Sequence, residues 1–192
     1  IGALLQSALN ISPEEWEAAT AVGSPLVETH QVLAGKPSEV DLEGYLFPDS
    51  YDFFPNDGEL QVYRELKETF DEKIKPLESE IAGSGRSLKD IIIMASLLEK
   101  EARTTTTRRT IAGILWKRLD IGMPLQVDAV FEYINGKNTY TLTTEDLQID
   151  SPYNTYKYKG LPIGPITNPG LDSIFAALNL IESPYFYYLS DK

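Results

Sequence analysis

The strongest hydrophobic pattern in the chain is an apolar run over residues 91–98, followed directly by a charged triplet that ends at Glu101. At 3.6 residues per turn, Leu97 and Leu98 lie one turn before Glu101 on the same helical face. Ser87 stands in front of the run, where its hydroxyl can cap a first helical turn. The pattern therefore predicts a buried helix that ends near Glu101.

Several other segments carry helical patterns. Ser12 followed by Glu15, with a proline between them, is a capping pattern that predicts the start of a helix. Residues 60–75 repeat apolar side chains at three- and four-residue intervals, which predicts an amphipathic helix. The same reasoning predicts helices over residues 111–119 and 172–180. An arginine of the 111–119 helix could reach into a cleft.

The regions around Tyr45, Gln126 and Tyr185 have no helical period. They combine aromatic residues or valine with nearby glycine and proline, which predicts short extended segments. The predicted fold class is α+β, with a helical layer that carries Glu101 packed against short antiparallel strands.

Composition narrows the classes of function. The 192 residues are 42% hydrophobic and carry a formal net charge of -12, with a pI near 4.5. That balance argues against nucleic acid or an anionic membrane surface as the main ligand and fits a neutral or cationic polymer. With no cysteine and one histidine, His30, the chain has no thiolate or His-rich metal site. No cofactor or metal is predicted, and His30 is predicted to be a surface or helix-end residue and not a catalyst.

Glu101 is the candidate acid catalyst because of its position. Burial against apolar groups and the negative end of the helix macrodipole both disfavour a charged carboxylate. Both effects would make Glu101 a proton donor near neutral pH. The alternative is that the charged triplet is the solvated end of a core helix, and periodicity alone favours that alternative.

Two irregular segments are further candidates. Residues 43–51 are rich in aromatics that could stack on sugar rings, or equally plug one end of the core. Residues 151–170 hold four prolines among hydrogen-bonding side chains, and long ordered loops of this kind are usually functional.

Five motifs resemble a known family. In chain order they are Glu43-Gly44-Tyr45-Leu46-Phe47-Pro48-Asp49, Ala95-Ser96-Leu97-Leu98-Glu99-Lys100-Glu101, Leu125-Gln126-Val127-Asp128, Tyr153-Asn154-Thr155-Tyr156, and residues 160–170 with Gly160-Leu161-Pro162 and Asn168-Pro169-Gly170. In this order they are similar to the YceG-like (MltG-like) endolytic murein transglycosylases. The match covers essentially the whole chain.

The resemblance implies a reaction and a set of site residues. It implies that Glu101 acts alone as general acid and base, cleaving the β-1,4 bond between N-acetylmuramic acid and N-acetylglucosamine without water. The products would carry 1,6-anhydro ends, and glycan strands would be shortened. The substrate-binding candidates are Gln126, Asp128, Tyr153, Asn154, Thr155 and Glu99.

The resemblance also implies an organisation and a location. Residues 1–192 would be a catalytic domain, with a helical portion over 1–35 and a core with the cleft over 36–192. A single-span membrane anchor, a LysM-like region and a C-terminal end would lie outside these residues. The domain would then face outward from the cell membrane, with peptidoglycan glycan strands as substrate and cell-wall synthases as further partners.

Two alternatives remain open. An acidic, aromatic-lined cleft can hold glycan strands without cutting them, which would make the chain a binding module. A murein hydrolase would instead use Glu101 as acid and Asp128 as base, as two-carboxylate glycosidases do.

Overall fold

The structure, a computed structural model, describes residues 1–24 and 41–189. The predicted N-terminal portion, 1–35, is thus covered in part, and His30 lies outside the described residues. The helices are α1 (Gly2–Leu9), α2 (Pro13–Thr20), α3 (Glu59–Ile74), α4 (Glu78–Gly83), α5 (Leu88–Glu101), α6 (Thr105–Asp120), α7 (Val130–Asn135) and α8 (Leu171–Leu178), with short 3-10 turns at Lys75–Leu77 and Asp146–Gln148.

Side-chain caps fix where the helices begin. The Ser12 hydroxyl accepts from the Glu15 backbone N–H at 3.1 Å, and the Glu15 carboxylate accepts from the Ser12 N–H at 2.7 Å. Ser87 accepts from the Asp90 N–H at 3.1 Å, and Thr104 caps α6 in the same way. These hydrogen bonds confirm the helix starts predicted at Ser12 and Ser87. The starts could be predicted because capping depends on residues close in sequence.

Helix α5 forms the centre of the main core. All eight residues of 91–98 are buried, and the helix packs chiefly against α8 and α6. Full burial of one such aliphatic side chain contributes about 1.5–3 kcal/mol, so the run anchors α5 firmly. The predicted buried helix is confirmed, and Glu101 is its last residue.

A second, smaller core joins the N-terminal helices to α3. Leu5 of α1 and Trp16 of α2 pack with Val62 and Leu66 of α3. The other face of α3 contributes Phe70 to the main core. The predicted amphipathic helix over 60–75 is therefore confirmed, and it connects the two cores.

The predicted antiparallel strands are wrong. Within residues 1–24 and 41–189 the structure contains helices, turns and irregular segments but no strand. Near Tyr45 and Gln126, backbone N–H groups bond to side chains or to isolated carbonyls, and no regular ladder forms. Glycine and proline interrupt these segments too often for a ladder to extend. The fold of the described residues is helical, not α+β.

The predicted single-pass membrane protein is also wrong for the described residues. No helix within 1–24 and 41–189 combines the length and apolarity needed to cross a bilayer. The two longest, α3 and α6, have 16 residues each and carry several charged side chains.

Candidate functional site

A cavity of about 400 Å³ opens beside the C-terminal end of α5. Glu101 lies in its wall and is 8% exposed, so the alternative of a fully solvated helix end does not hold for this side chain. Residues from several distant segments share the cavity, and they include Glu101, Arg118, Gln126, Asp128, Tyr140, Tyr156, Tyr187 and Tyr188.

Tyr188 makes a direct contact with the candidate catalytic group. Its hydroxyl donates to Glu101 Oε2 at 3.0 Å. Burial raises the pKa of Tyr188 well above its ordinary value, and the nearby Glu101 charge raises it further. Tyr188 therefore keeps its proton and remains a hydrogen-bond donor to Glu101.

The second carboxyl group of the cavity, Asp128, also accepts from a tyrosine. The Tyr156 hydroxyl donates to Asp128 Oδ1, and the Tyr156 ring packs on Phe131 at a centroid distance of 5.9 Å. Burial raises the pKa of Tyr156, and the hydrogen bond to Asp128 raises it further. Each of the two acidic groups thus has a tyrosine hydroxyl on one oxygen.

The backbone between Leu125 and Asp128 is held in an unusual conformation. Gln126 has φ of 51°, a left-handed value that costs a non-glycine residue roughly 1–2 kcal/mol. Thr155 stabilises it: its carbonyl accepts from the Gln126 N–H at 3.1 Å, and its hydroxyl accepts from the Val127 N–H at 3.0 Å. Local strain of this kind is common at functional sites.

Arg118 is a buried cation that joins both sides of the cavity. Its Nη1 donates to the Leu125 carbonyl and its Nε to the Phe186 carbonyl, each at 2.6 Å. It therefore ties α6 to the 125–128 segment and to the final segment, 181–189. The sequence predicts that an arginine of this helix could reach a cleft, but it does not indicate which arginine. Arg118 continues the apolar stripe of Ile111 at i+7, and that spacing was the available signal.

Three of the seven predicted site residues meet in this cavity: Glu101, Gln126 and Asp128. Asn154 and Thr155 do not line it: both are buried and use their side chains to hold backbone groups. The Asn154 amide donates to two backbone carbonyls, at 3.1 and 2.8 Å, within the 147–149 turn.

Tyr153 and Glu99 lie away from the cavity. The Tyr153 ring packs on Tyr133 with centroids 4.7 Å apart. Glu99 Oε2 accepts from the Gly170 N–H at 3.0 Å and from the Ser173 hydroxyl at 2.7 Å, so it holds the start of α8. Its other oxygen pairs with Arg108 at 3.0 Å.

Two of the five motifs, those at residues 43–49 and 160–170, are joined by hydrogen bonds. Asn168 Oδ1 accepts from the Gly44 and Leu46 N–H groups at 2.8 and 3.0 Å, and its amide donates to Glu43 at 2.9 Å. Gly44 has φ of 91°, and a side chain there would overlap Pro165. Burial raises the pKa of Glu43, and the charge of Asp41 adds to it. These motifs hold the proline-rich loop in place.

The aromatics of 43–51 serve mainly as core. Tyr45 and Phe47 are buried, which favours the interpretation that they plug the core over the one in which they stack on sugars. A larger cavity, about 1070 Å³, lies between this segment, α1, α2 and α3. Glu101 does not line it.

The chain belongs to the YceG-like family, whose sequence profile matches residues 4–192. The family predicted from the motifs is therefore confirmed. The crystal structure of a YceG-like protein from Listeria monocytogenes is similar, with a TM-score of 0.74 at 33% identity, over 98% of this chain and 61% of that one.

Curated relatives carry a functional name. The endolytic murein transglycosylase of Bacillus subtilis (strain 168) is 39% identical over 150 residues, covering 78% of this chain and 42% of the relative. That of Streptococcus pneumoniae serotype 2 (strain D39) is 35% identical over 155 residues, covering 78% of this chain and 28% of the relative. The chain thus spans less than half the length of these relatives. The name of these relatives is that of a lyase, which is the enzyme class predicted from the motifs.

Proposed function

We propose that this chain carries the catalytic site of an endolytic murein transglycosylase, with Glu101 as its single general acid and base. The observation that carries the proposal is a buried carboxyl at the end of α5 that lines a cavity and accepts a hydrogen bond from Tyr188. The names of the relatives support murein as the substrate.

Glu101 performs two proton transfers in the proposed reaction. Its carboxyl group first protonates the glycosidic oxygen, and the bond from that oxygen to C1 of N-acetylmuramic acid breaks. The C6 hydroxyl of the same sugar then attacks C1, and the Glu101 carboxylate takes the hydroxyl proton. The products are a free 4-hydroxyl and a 1,6-anhydro end, and no water is consumed.

Burial suits Glu101 to this role. A carboxyl group removed from water is more costly to charge, so the apolar side of α5 favours the protonated starting form. The hydrogen bond from Tyr188 holds the carboxyl group by its Oε2 atom. After the first transfer the same hydrogen bond stabilises the new carboxylate.

Asp128 and Gln126 have supporting roles in this proposal. Asp128 supplies negative charge in the cavity, where an oxocarbenium-like transition state develops positive charge. Gln126 is placed by its left-handed backbone beside the cavity, where its amide can bond to sugar hydroxyl or N-acetyl groups.

The test is a murein digest by the parent, by Glu101→Gln, and by Glu72→Gln. The Glu101→Gln variant keeps the shape of the side chain but cannot donate a proton, so anhydro products should disappear while murein binding persists. Glu72 is exposed on α3 and does not line the cavity, so Glu72→Gln should digest murein like the parent. Equal digestion by Glu101→Gln would refute the role of Glu101, and a parent that binds murein but releases no anhydro ends would favour the binding module.

A two-carboxylate hydrolase is the second candidate, because Asp128 lines the same cavity as Glu101. In that mechanism Asp128 activates a water, and Asp128→Asn should abolish the release of reducing ends. Under the transglycosylase mechanism Asp128→Asn slows the reaction but still gives anhydro ends. Cell-wall synthases as partners stay a prediction.

A further inference from the structure

Two tyrosine rings stand exposed at the edge of the Glu101 cavity. Tyr140 is 86% exposed and Tyr187 is 68% exposed, and both line the cavity. They come from separate segments, one after α7 and the other from the final segment, 181–189. Removing a large aromatic side chain from water lowers the free energy. Exposed rings that border a cavity are therefore candidates for ligand contact.

The Tyr187 ring packs against a buried arginine, Arg118. The Arg118 guanidinium lies 4.7 Å from the centre of the Tyr187 ring, a cation–π geometry. Arg118 is itself fixed by its hydrogen bonds to the Leu125 and Phe186 carbonyls. The ring is therefore presented on a rigid support although most of its surface meets solvent.

Tyr140 sits on a loop that is closed by a buried carboxylate. Asp146 accepts from Lys137 Nζ at 2.7 Å and from the Thr143 N–H at 2.8 Å, so it joins the two ends of the loop. Within the loop, the Tyr140 N–H donates to the Asn138 side chain at 3.0 Å. The backbone that carries Tyr140 is thus ordered by side-chain hydrogen bonds.

We infer that Tyr140 and Tyr187 form a carbohydrate-binding subsite that stacks on pyranose rings of a glycan strand beside the Glu101 cavity. The inference rests on the proposed function and adds to it the residues that hold the sugar chain. An aromatic ring offers a flat apolar face to the C–H groups of a pyranose, while its hydroxyl can bond to sugar hydroxyls. The Tyr187 ring already packs on Arg118 and therefore loses little conformational entropy on binding.

The chemistry of the surface favours an uncharged sugar ring over other ligands. The chain has a formal net charge of -12 and Asp128 lines the cavity, whereas the guanidinium of Arg118 is already bonded to the Leu125 and Phe186 carbonyls. An anionic ligand would be repelled there, whereas stacking on a neutral N-acetylhexosamine needs no opposite charge.

The test measures binding in a Glu101→Gln background, where the probe is not cleaved. The probe is an oligomer of N-acetylglucosamine, which is uncharged and offers the same pyranose faces, and the variants are Tyr140→Ala and Tyr187→Ala. Tyr185→Ala is the matched control, because Tyr185 is 71% exposed on the same final segment but does not line the cavity. Each cavity variant should raise Kd by about five- to tenfold, and the control should leave Kd unchanged.

A second measurement separates a lost ring from a lost fold. Tyr187→Phe and Tyr140→Phe keep the stacking face and should retain binding within about threefold of the Glu101→Gln parent. In the active background, the alanine variants should raise KM more than they lower kcat.

The inference is overturned if the two alanine variants bind as tightly as the Glu101→Gln parent, or if Tyr185→Ala weakens binding equally. That failure is distinct from failure of the proposed function. If the parent releases no anhydro ends, the transglycosylase proposal fails. If it releases them and ring removal has no effect, the subsite alone fails.

Discussion

The Tyr188 hydroxyl donates to Glu101 Oε2 at 3.0 Å, which joins two residues 87 positions apart in sequence. Glu101 ends the most deeply buried helix, and Tyr188 belongs to an irregular segment near the end of the described chain. The contact exists because α6 supports that segment. The Ile181 N–H donates to the Arg109 carbonyl at 3.0 Å, and Arg118 holds the Phe186 carbonyl.

Removing the Tyr188 hydroxyl should slow the reaction. Tyr188→Phe keeps the ring but removes a hydrogen bond that stabilises the Glu101 carboxylate formed during catalysis. A hydrogen bond to a charged group contributes about 1.5–3 kcal/mol, so kcat should fall about 10- to 100-fold. Binding of substrate does not depend on this hydrogen bond, so KM should change less than kcat.

Tyr185→Phe is the control for this substitution, since Tyr185 does not line the cavity. It should leave both kcat and KM unchanged. A Tyr188→Phe enzyme with the parent's kcat would contradict a role for this hydrogen bond in catalysis.

Gly113 should tolerate no side chain, because the final segment crosses α6 at that point. A methyl group on Gly113 would overlap the Ile181 carbonyl oxygen, whereas Gly83, at the end of α4, has open space around it. Gly113→Ala should lower the free energy of unfolding by about 1–3 kcal/mol and reduce activity by displacing Tyr188. Gly83→Ala should be neutral or stabilise by up to about 1 kcal/mol.

Chemical denaturation of both glycine variants measures the difference. Equal unfolding midpoints for Gly113→Ala and Gly83→Ala would contradict the close approach of the final segment to α6.

The interaction of Asp146 with Lys137 should stabilise the loop that carries Tyr140 at neutral pH but not in strong acid. The hydrogen bond from Lys137 lowers the pKa of Asp146 from 3.8 to about 2. A carboxyl with a depressed pKa in the folded state contributes stability that is fully present above about pH 4 and is lost as pH falls through about 2. The melting temperature of Asp146→Asn should therefore lie below the parent's at neutral pH, and the gap should close in acid.

Thermal unfolding of the parent, Asp146→Asn and Asp52→Asn between pH 7 and pH 2 tests this expectation. Asp52 is exposed, so its variant should follow the parent throughout. A gap for Asp146→Asn that stays constant with pH would contradict the ion-pair account.

The helices could be predicted because their signals are local. The apolar run of 91–98 and the Ser87 cap lie within one segment, and both specify α5 without reference to the rest of the chain. The strands failed for the opposite reason. Aromatic content near Tyr45 and Gln126 reflects burial in a core, and burial does not require a ladder partner.

The site could be predicted only in part. Glu101 and Asp128 were predicted from motifs, but Asn154 and Thr155 use their polar groups on the backbone. Tyr188 was missed, because nothing in its local sequence indicates a partner 87 positions away. Polar residues near a site do not reveal from sequence alone whether they face the cavity or support it.

The measurement that tests the central claim most directly is a murein digest in water enriched in heavy oxygen, followed by mass spectrometry of the released glycan ends. If Glu101 acts alone and the C6 hydroxyl attacks C1, the products carry no heavy oxygen and are lighter by one water than hydrolysis products. Products that incorporate heavy oxygen at the cleaved end would contradict the single-carboxyl mechanism.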